Sequence, residues 1–429
     1  RSTLDRSSAA SDVYKRQDLA NTGSDGSRDR TKNDWGRAMK RLIPGSTGIT
    51  TAVMGTLVLL NYTASLAQER VATVDVFVPH VSTVPANASK KVGIFVREKI
   101  SEGLQEELEA GSLPPGRAVL FVHGSLAPSL PVFDLPFEDY SWMSVFAEAG
   151  FDAFAMDHTG FGRSPQPEKD DPCNFAAAAQ SVVSQNPLSA PCAPSYGYKL
   201  TTSQSDWDEI DTVVDYIREL RGIDRVSLVG WSRGGPRTAG YAARHPEKVD
   251  KLILLAPVYS PSGPASAPED VPEVGTPMTL MTRQMYMGER WHGAVACEGQ
   301  VDSDVEPVVW QTIMGVDSLG SVWGPPDGVL RVSTATQWGW NREYAARVQT
   351  PPLILVGEED FLYEAAEPLY ADLTGTASKA LINMECATHY PFWESFHYKF
   401  MQDVSMEWLR TGKYQGRTEG VHRVRVDRR

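Results

Sequence analysis

The sequence predicts an α/β fold: a mostly parallel central sheet flanked by helices on both faces and carrying one long insertion. Three observations predict it. Short runs at 118–122, 226–229, 252–255 and 353–356 are solidly apolar, as strands covered on both faces must be. The text between them is helical, clearest where Trp207, Ile210, Val213, Val214 and Ile217 share one face of a helix that starts near Ser205 and stops at Gly222. Strand and helix alternate in this way from about residue 70 to about residue 410.

In chain order the expected strands are 71–78, 92–97, 118–122, 153–156, 226–229, 252–255, 353–356 and 380–382. The alternation breaks twice. Residues 165–203 are too long for a simple connection and hold Cys173 and Cys192. Residues 258–345 contain Trp291, Trp310, Trp323, Trp338 and Trp340 with Met278, Met281, Met285 and Met287. The plain reading of these side chains is a small satellite core, and the functional one is a cap over a site. The chain then divides into core residues 68–257, a cap at 258–345, core residues 346–412 and a basic tail, 413–429, expected to be disordered.

The N-terminal 67 residues are expected to stand outside this fold. Residues 1–38 are rich in Ser, Asp, Arg and Lys, lack Met and show no apolar period, and 7–17 resemble translated sequencing-adapter text. Residues 39–67 have the layout of a secretory signal peptide: Met39-Lys40-Arg41, an apolar stretch at 52–60, then Ala64-Ser65-Leu66-Ala67 before Gln68. Pro44, Ser46, Thr50 and Thr51 leave about half of the ~20 apolar residues that a membrane span needs. Export with cleavage near Ala67, and no stable membrane anchor, is the expectation. In an exported compartment disulfides persist, which favours a Cys173–Cys192 bridge; connectivity for Cys297 and Cys386 stays open.

Composition excludes some classes. The 429 residues carry 41 Lys and Arg against 54 Asp and Glu, a net charge of −13 that repels a phosphate backbone. No C-x-x-C, H-x-H or H-E-x-x-H spacing occurs, so neither a metal nor any other cofactor is expected.

The chemistry lies in three separated motifs. Gly230-Trp231-Ser232-Arg233-Gly234 joins an apolar strand to small-residue helical text, as a strained strand-to-helix turn exposing a serine hydroxyl requires. Such a serine needs a base, and the base needs an orienting acid. Gly357-Glu358-Glu359-Asp360 ends a later strand, and Ala387-Thr388-His389-Tyr390-Pro391 follows the next one. The order Ser232, Asp360, His389 is that of α/β-hydrolases and differs from those of chymotrypsin and subtilisin. Glu358 and Glu359 are rival acids, and His397 is a rival base expected at the surface of the last helix. Two N–H donors for a developing oxyanion are assigned to the backbones of Arg233 and Ser125, the latter following His123-Gly124. His123 is expected to brace that loop, His158 lies in a glycine-bearing turn at 157–164, and the Arg233 side chain suits either a salt bridge or a substrate carboxylate.

Together, His123-Gly124, the 157–164 turn, Gly230 to Gly234, Gly357 to Asp360, and His389 with Pro391 resemble the α/β-hydrolase superfamily over about residues 90–410. The chain is also similar to a set of bacterial exported or predicted hydrolases having the Asp171-Pro172-Cys173-Asn174 loop and the Trp338-Gly339-Trp340-Asn341 segment. Ser232 departs from epoxide hydrolases and haloalkane dehalogenases, which the resemblance would otherwise allow and which use an aspartate at this place. The insertion departs from open-sited cutinase-like enzymes. The implied activity is hydrolysis of small-molecule carboxylic esters with small to medium apolar acyl groups, with Trp338 and Trp340 in the pocket wall. The same triad acting on other bonds is the alternative: a proline-releasing aminopeptidase, a C–C hydrolase or a perhydrolase. A non-catalytic binding protein on this fold is the other. Oligomeric state is not read from the sequence.

Overall fold

Residue parity along the central strands divides the protein interior in two. The computed structural model describes residues 70–111, 113–182, 191–324 and 326–426. The expected leader and signal peptide lie outside these residues. In β3 (Ala118–Val122), Val119 and Phe121 enter one apolar cluster while Ala118, Leu120 and Val122 enter another. The same split recurs in β7 (Val249–Leu255), where Ile253 and Leu255 oppose Leu252 and Leu254. It recurs in β11 (Pro352–Gly357), where Leu353 and Leu355 oppose Ile354 and Val356. Solid apolar runs therefore arise because successive side chains point to opposite, equally covered faces.

The other strands are β1 (Val71–Val81), β2 (Lys91–Ser101), β4 (Asp152–Met156), β5 (Thr201–Thr202), β6 (Val226–Trp231), β8 (Met278–Thr282), β9 (Val329–Ser333), β10 (Ala335–Thr336), β12 (Lys379–Met384) and β13 (Glu419–Val424). Nine form one sheet in the order β1-β2-β4-β3-β6-β7-β11-β12-β13. The β1–β2 and β2–β4 pairs are antiparallel, and every pair from β4–β3 to β12–β13 is parallel. All eight expected strands lie in this sheet. The ninth, β13, corrects the expectation of a disordered tail. Its residues alternate between exposed and half-buried, Tyr414 stacks edge-on against His422 at 4.8 Å, and Arg423 pairs with Glu358. Backbone pairing with β12 thus orders a segment whose charged composition hides its period of two.

The amphipathic stripe forms helix α1 (Ser203–Arg221), with Trp207, Ile210, Val213, Val214 and Ile217 all buried. Thr202 and Ser205 make a reciprocal capping box at its start, and Gly222 takes a left-handed φ of 63° at its end. Helix α2 (Gly234–Ala242) follows β6 directly and packs on α1, as Trp207 Nε1 donating to Pro236 O at 3.2 Å shows.

The 258–345 insertion is not limited to a satellite core. Met281, Tyr286, Met287, Trp291, Val309, Trp310 and Leu330 belong to the same apolar cluster as Val229 and Trp231 of the sheet. Met278, Leu280 and Val329 join Phe175 in a small separate cluster, with Trp323 packed against it. β8 pairs antiparallel with β9, and β10 pairs with β5, so the 165–203 segment and the later insertion are stitched together. Arg331 reinforces that seam, donating to Lys169 O at 2.5 Å and to both oxygens of Asp317. Two disulfides are present, Cys173–Cys192 and Cys297–Cys386. The second joins the insertion to the loop after β12.

Candidate active site

Ser232 stands at the β6–α2 junction with φ +56°, a backbone state that costs a non-glycine residue roughly 1–3 kcal/mol. Its surroundings enforce this. Ser232 N–H donates to Leu255 O at 2.9 Å, and Ser232 O accepts from Gly235 N at 2.9 Å and Val258 N at 3.0 Å. The turn is tight enough that a Cβ on Gly230 would lie 2.3 Å from Gly234 O, and one on Gly234 would lie 2.4 Å from Val122 O. This is the physical content of G-x-S-x-G: glycine is required at both flanking positions because backbone occupies the space. The resulting Ser232 is 7% exposed.

His389, in the loop after β12, directs Nδ1 at Asp360, 2.9 Å from Oδ1 and 3.0 Å from Oδ2. Its other nitrogen, Nε2, is buried and lacks a hydrogen-bond partner. A carboxylate on Nδ1–H leaves Nε2 as the basic nitrogen. The ring is held by aromatic neighbours, Phe361 at 4.4 Å and Trp231 at 5.3 Å between centroids, and Trp231 Nε1 donates to His389 O at 3.0 Å. Asp360 is buried and also accepts the Leu362 N–H at 2.8 Å. The rival acids point elsewhere: Glu358 is engaged by Arg423 at 2.5 Å, and Glu359 is exposed.

His397 is not at the surface as expected. It is fully buried, its Nε2 donates to Glu385 O at 2.9 Å, and its Nδ1 lies 3.0 Å from Glu394. Glu394 in turn accepts the Thr388 N–H at 3.2 Å. Helix α3 (His397–Thr411) thus begins by bracing the loop that carries His389, a consequence of tertiary packing that its sequence pattern does not display.

His123 is fully buried and takes the bracing role. The His158 N–H donates to His123 Nε2 at 3.1 Å, so the proton sits on Nδ1, which donates to Gly124 O at 2.7 Å. Burial, Arg237 and His158 hold its pKa well below the ordinary imidazole value. His158 is equally buried, with Nδ1 2.8 Å from Glu209 Oε2, and burial pushes Glu209 up to about 8. Arg233 is 3% exposed and its side chain is turned inward, donating to Asp206 Oδ2 at 2.6 Å and Thr201 Oγ1 at 3.2 Å. Of its two sequence readings the structure has the salt bridge. Its backbone occupies the N-cap of α2, while Ser125 follows Gly124, where a Cβ would lie 2.8 Å from Ser232 Cβ. The Gly124–Ser125 segment therefore passes close to Ser232, which Arg233 follows directly in the chain.

Trp338 and Trp340, expected in a pocket wall, have aromatic neighbours. Trp338 meets Trp207 edge-on at 6.5 Å, and Trp340 meets Tyr259 at 5.7 Å and donates through Nε1 to Val258 O at 3.1 Å. Both sit with the α1 side of the core. Besides Trp231, the aromatic residues beside His389 are Phe361, 60% exposed, and Tyr390, which Tyr286 and Trp291 of the insertion abut at 5.7 and 6.4 Å. Phe361 was findable, since it directly follows Asp360; Tyr286 and Trp291 reach the site only through the tertiary fold. Among the described residues no group of three or more His, Cys, Asp or Glu side chains is arranged to hold a metal ion.

A family model described as alpha/beta hydrolase fold matches residues 117–295. The poly(3-hydroxyalkanoate) polymerase subunit PhaC of Allochromatium vinosum is 46% identical over 46 residues, which is 11% of this chain and 13% of that protein. Among solved structures, a serine hydrolase from the polyaromatic-hydrocarbon-degrading bacterium Cycloclasticus zankles is 15% identical, with 81% of this chain and 100% of that chain covered and a TM-score of 0.45. The 2-hydroxy-6-oxo-6-phenylhexa-2,4-dienoate hydrolase of Rhodococcus sp. strain RHA1 is also 15% identical, covering 80% and 100%, with a TM-score of 0.45. With the family match spanning the strained serine turn, and a sheet in which seven successive strands run parallel, the chain carries the alpha/beta hydrolase fold.

Proposed function

We propose that this protein is a serine hydrolase that cleaves carboxylic esters of small to medium apolar acyl groups through an acyl-serine at Ser232. One observation carries the reading: Ser232 is strained at φ +56° on a strand-to-helix turn while His389, bonded through Nδ1 to Asp360, keeps Nε2 unpaired. His389 Nε2 takes the hydroxyl proton as Ser232 Oγ bonds to the ester carbonyl carbon, and the carbonyl electron pair moves onto oxygen. The N–H groups of Ser125 and Arg233 hold that oxyanion. Collapse breaks the bond to the alcohol, which leaves with the proton from His389; water then enters by the same base and releases the acid. The exposed ring of Phe361 supplies an apolar surface beside His389, which favours an apolar acyl group.

Export fits the same molecule. The two disulfides are at home in an oxidising compartment, and among the described residues no helix is long and apolar enough to cross a membrane. The reading keeps the signal peptide at 39–67 and a small-molecule ester as partner.

The test is covalent labelling with a fluorophosphonate together with a p-nitrophenyl ester panel of graded acyl length. The wild-type protein is expected to label once, at Ser232, and Ser232→Ala to lose both labelling and turnover while keeping its fold. Faster cleavage of aminoacyl anilides than of any ester would transfer the triad to another bond, and an unlabelled wild type would leave a binding protein.

A further inference from the structure

Both assigned oxyanion donors are tied to one buried carboxylate oxygen. Asp206, in the first turn of α1 and 2% exposed, accepts through Oδ2 from Arg233 Nη2 at 2.6 Å and from Arg237 Nε at 3.0 Å. Arg233 contributes one oxyanion N–H from its own backbone. Arg237, one turn further along α2 and 2% exposed, sends Nη1 across to the other side of the hole, donating to His123 O at 2.8 Å and Gly124 O at 3.1 Å.

The second contact is the informative one, because Gly124 C=O and Ser125 N–H belong to one peptide group. That group is planar and trans, so its carbonyl and its N–H point in opposite directions. Fixing the direction of Gly124 O fixes the direction of Ser125 N–H. Gly124 O is held twice, by Arg237 Nη1 and by His123 Nδ1 at 2.7 Å. A guanidinium at the carbonyl end also draws electron density away from the N–H, strengthening it as a donor in a site of low dielectric. We propose that Arg237, anchored on Asp206, is a positioning residue that aims and polarises the Ser125 N–H of the oxyanion hole, with Asp206 holding both donors in register.

The surrounding charges act in the same direction. Two guanidinium groups face the single carboxylate of Asp206, which they hold below the usual carboxylate range against the opposing pull of burial. Glu209, buried nearby and pushed up to about 8, adds little negative charge at neutral pH. A net positive floor beneath the Gly124–Ser125 peptide favours charge developing on a substrate oxygen above it. Arg237 also lies over the Phe161 ring at 5.6 Å, which limits its freedom to swing away.

This inference rests on the acyl-serine reading, and the experiment separates the two. Fluorophosphonate labelling of the wild type tests that reading alone. Arg237→Gln, Arg237→Lys and Asp206→Asn are then compared with wild type for kcat, KM and the inhibition constant of a trifluoromethyl ketone, whose hydrate-like adduct carries the oxyanion. The expectation for Arg237→Gln is a kcat lower by about 100-fold, KM within about threefold of wild type, and ketone affinity weakened in proportion to kcat. Arg237→Lys recovers part of both losses, since an ammonium reaches one carbonyl but cannot fork to both carbonyls and Asp206. Asp206→Asn falls between them. A purely structural role would lower the melting temperature without separating kcat from KM or tracking ketone affinity. A folded Arg237→Gln with wild-type ketone affinity overturns the proposal while leaving the serine hydrolase intact. Should that variant fail to fold, the same proportionality in Arg237→Lys and Asp206→Asn decides.

Discussion

The serine and the histidine of the site are held by different means. Ser232 is fixed locally: backbone bonds to β7 and α2, glycines pressed against neighbouring backbone, and a left-handed residue that nothing nearby can relax. His389 is fixed at long range. The Cys297–Cys386 bridge anchors its loop to the insertion, Gln300 of the insertion donates to Cys386 O at 2.5 Å, and α3 supports it through Glu394 and His397. The serine turn is therefore held by backbone of the adjoining strands and helix alone, whereas the histidine loop depends on side chains and a disulfide from segments about 90 residues apart. Changes near Ser232 test chemistry, and changes around His389 test whether distant parts stay assembled.

The largest effect should come from the contact joining the two sides. Asp360→Asn keeps the shape but favours the wrong tautomer of His389, and is expected to lower kcat by roughly four orders of magnitude. Glu358→Gln and Glu359→Gln are expected to change kcat less than about threefold, because neither side chain faces His389. Steady-state kinetics on one ester ranks the three. A greater loss in Glu359→Gln would move the acid.

How legible the molecule was in its sequence follows the same division. The sheet showed itself in solid apolar runs, and the serine turn in G-x-S-x-G, because both arise from neighbours in the chain. Asp360 and His389 were readable from strand ends and order. What surrounds them was not. No local signal says that His397 turns inward to brace the His389 loop, or that Arg237 reaches Gly124, since those contacts span 12 and 113 positions. The neighbours of the tryptophans at 338 and 340 were not legible either, because aromatic content announces burial without saying against which face. β13 was hidden for the opposite reason: an edge strand stabilised by backbone pairing needs few apolar residues.

Intermediate effects should separate the two disulfides. Their sequence separations are 19 for Cys173–Cys192 and 89 for Cys297–Cys386, for which chain-entropy arguments give about 3 and about 4.5 kcal/mol of stabilisation. Denaturant melts of Cys173→Ser and Cys297→Ser are expected to keep that order. The sharper readout is activity well below the melting temperature. Freeing the His389 loop in Cys297→Ser should lower kcat roughly tenfold or more, while Cys173→Ser leaves kcat near wild type. Equal kcat in both variants would mean that α3 alone holds the histidine.

The smallest effect concerns the polar floor on the serine side and appears as a pH dependence. Burial raises the Glu209 carboxyl from 4.5 to about 8, against hydrogen bonds from Thr159 that favour its charged form. Because the folded value lies above the unfolded one, the stabilising contribution is complete below about pH 4.5 and is lost as pH rises through about 8. Glu209→Gln has no proton to lose. His123 and His158, held well below the ordinary imidazole value by burial, act with the opposite sign, but only where an unfolded histidine is protonated. From pH 7 upward they are largely neutral in both states, and Glu98 and Lys169, shifted to about 8 and about 7, titrate alike in both proteins, so the difference between wild type and Glu209→Gln from pH 7 to pH 9 reports Glu209. Across it the melting temperature of Glu209→Gln is expected to rise relative to wild type by about 2 °C or more, with the difference levelling off above the folded pKa. A difference that stays flat across this range would mean that Glu209 is already ionised at pH 7 through its contact with His158, and the floor beneath the oxyanion loop would then be neutral.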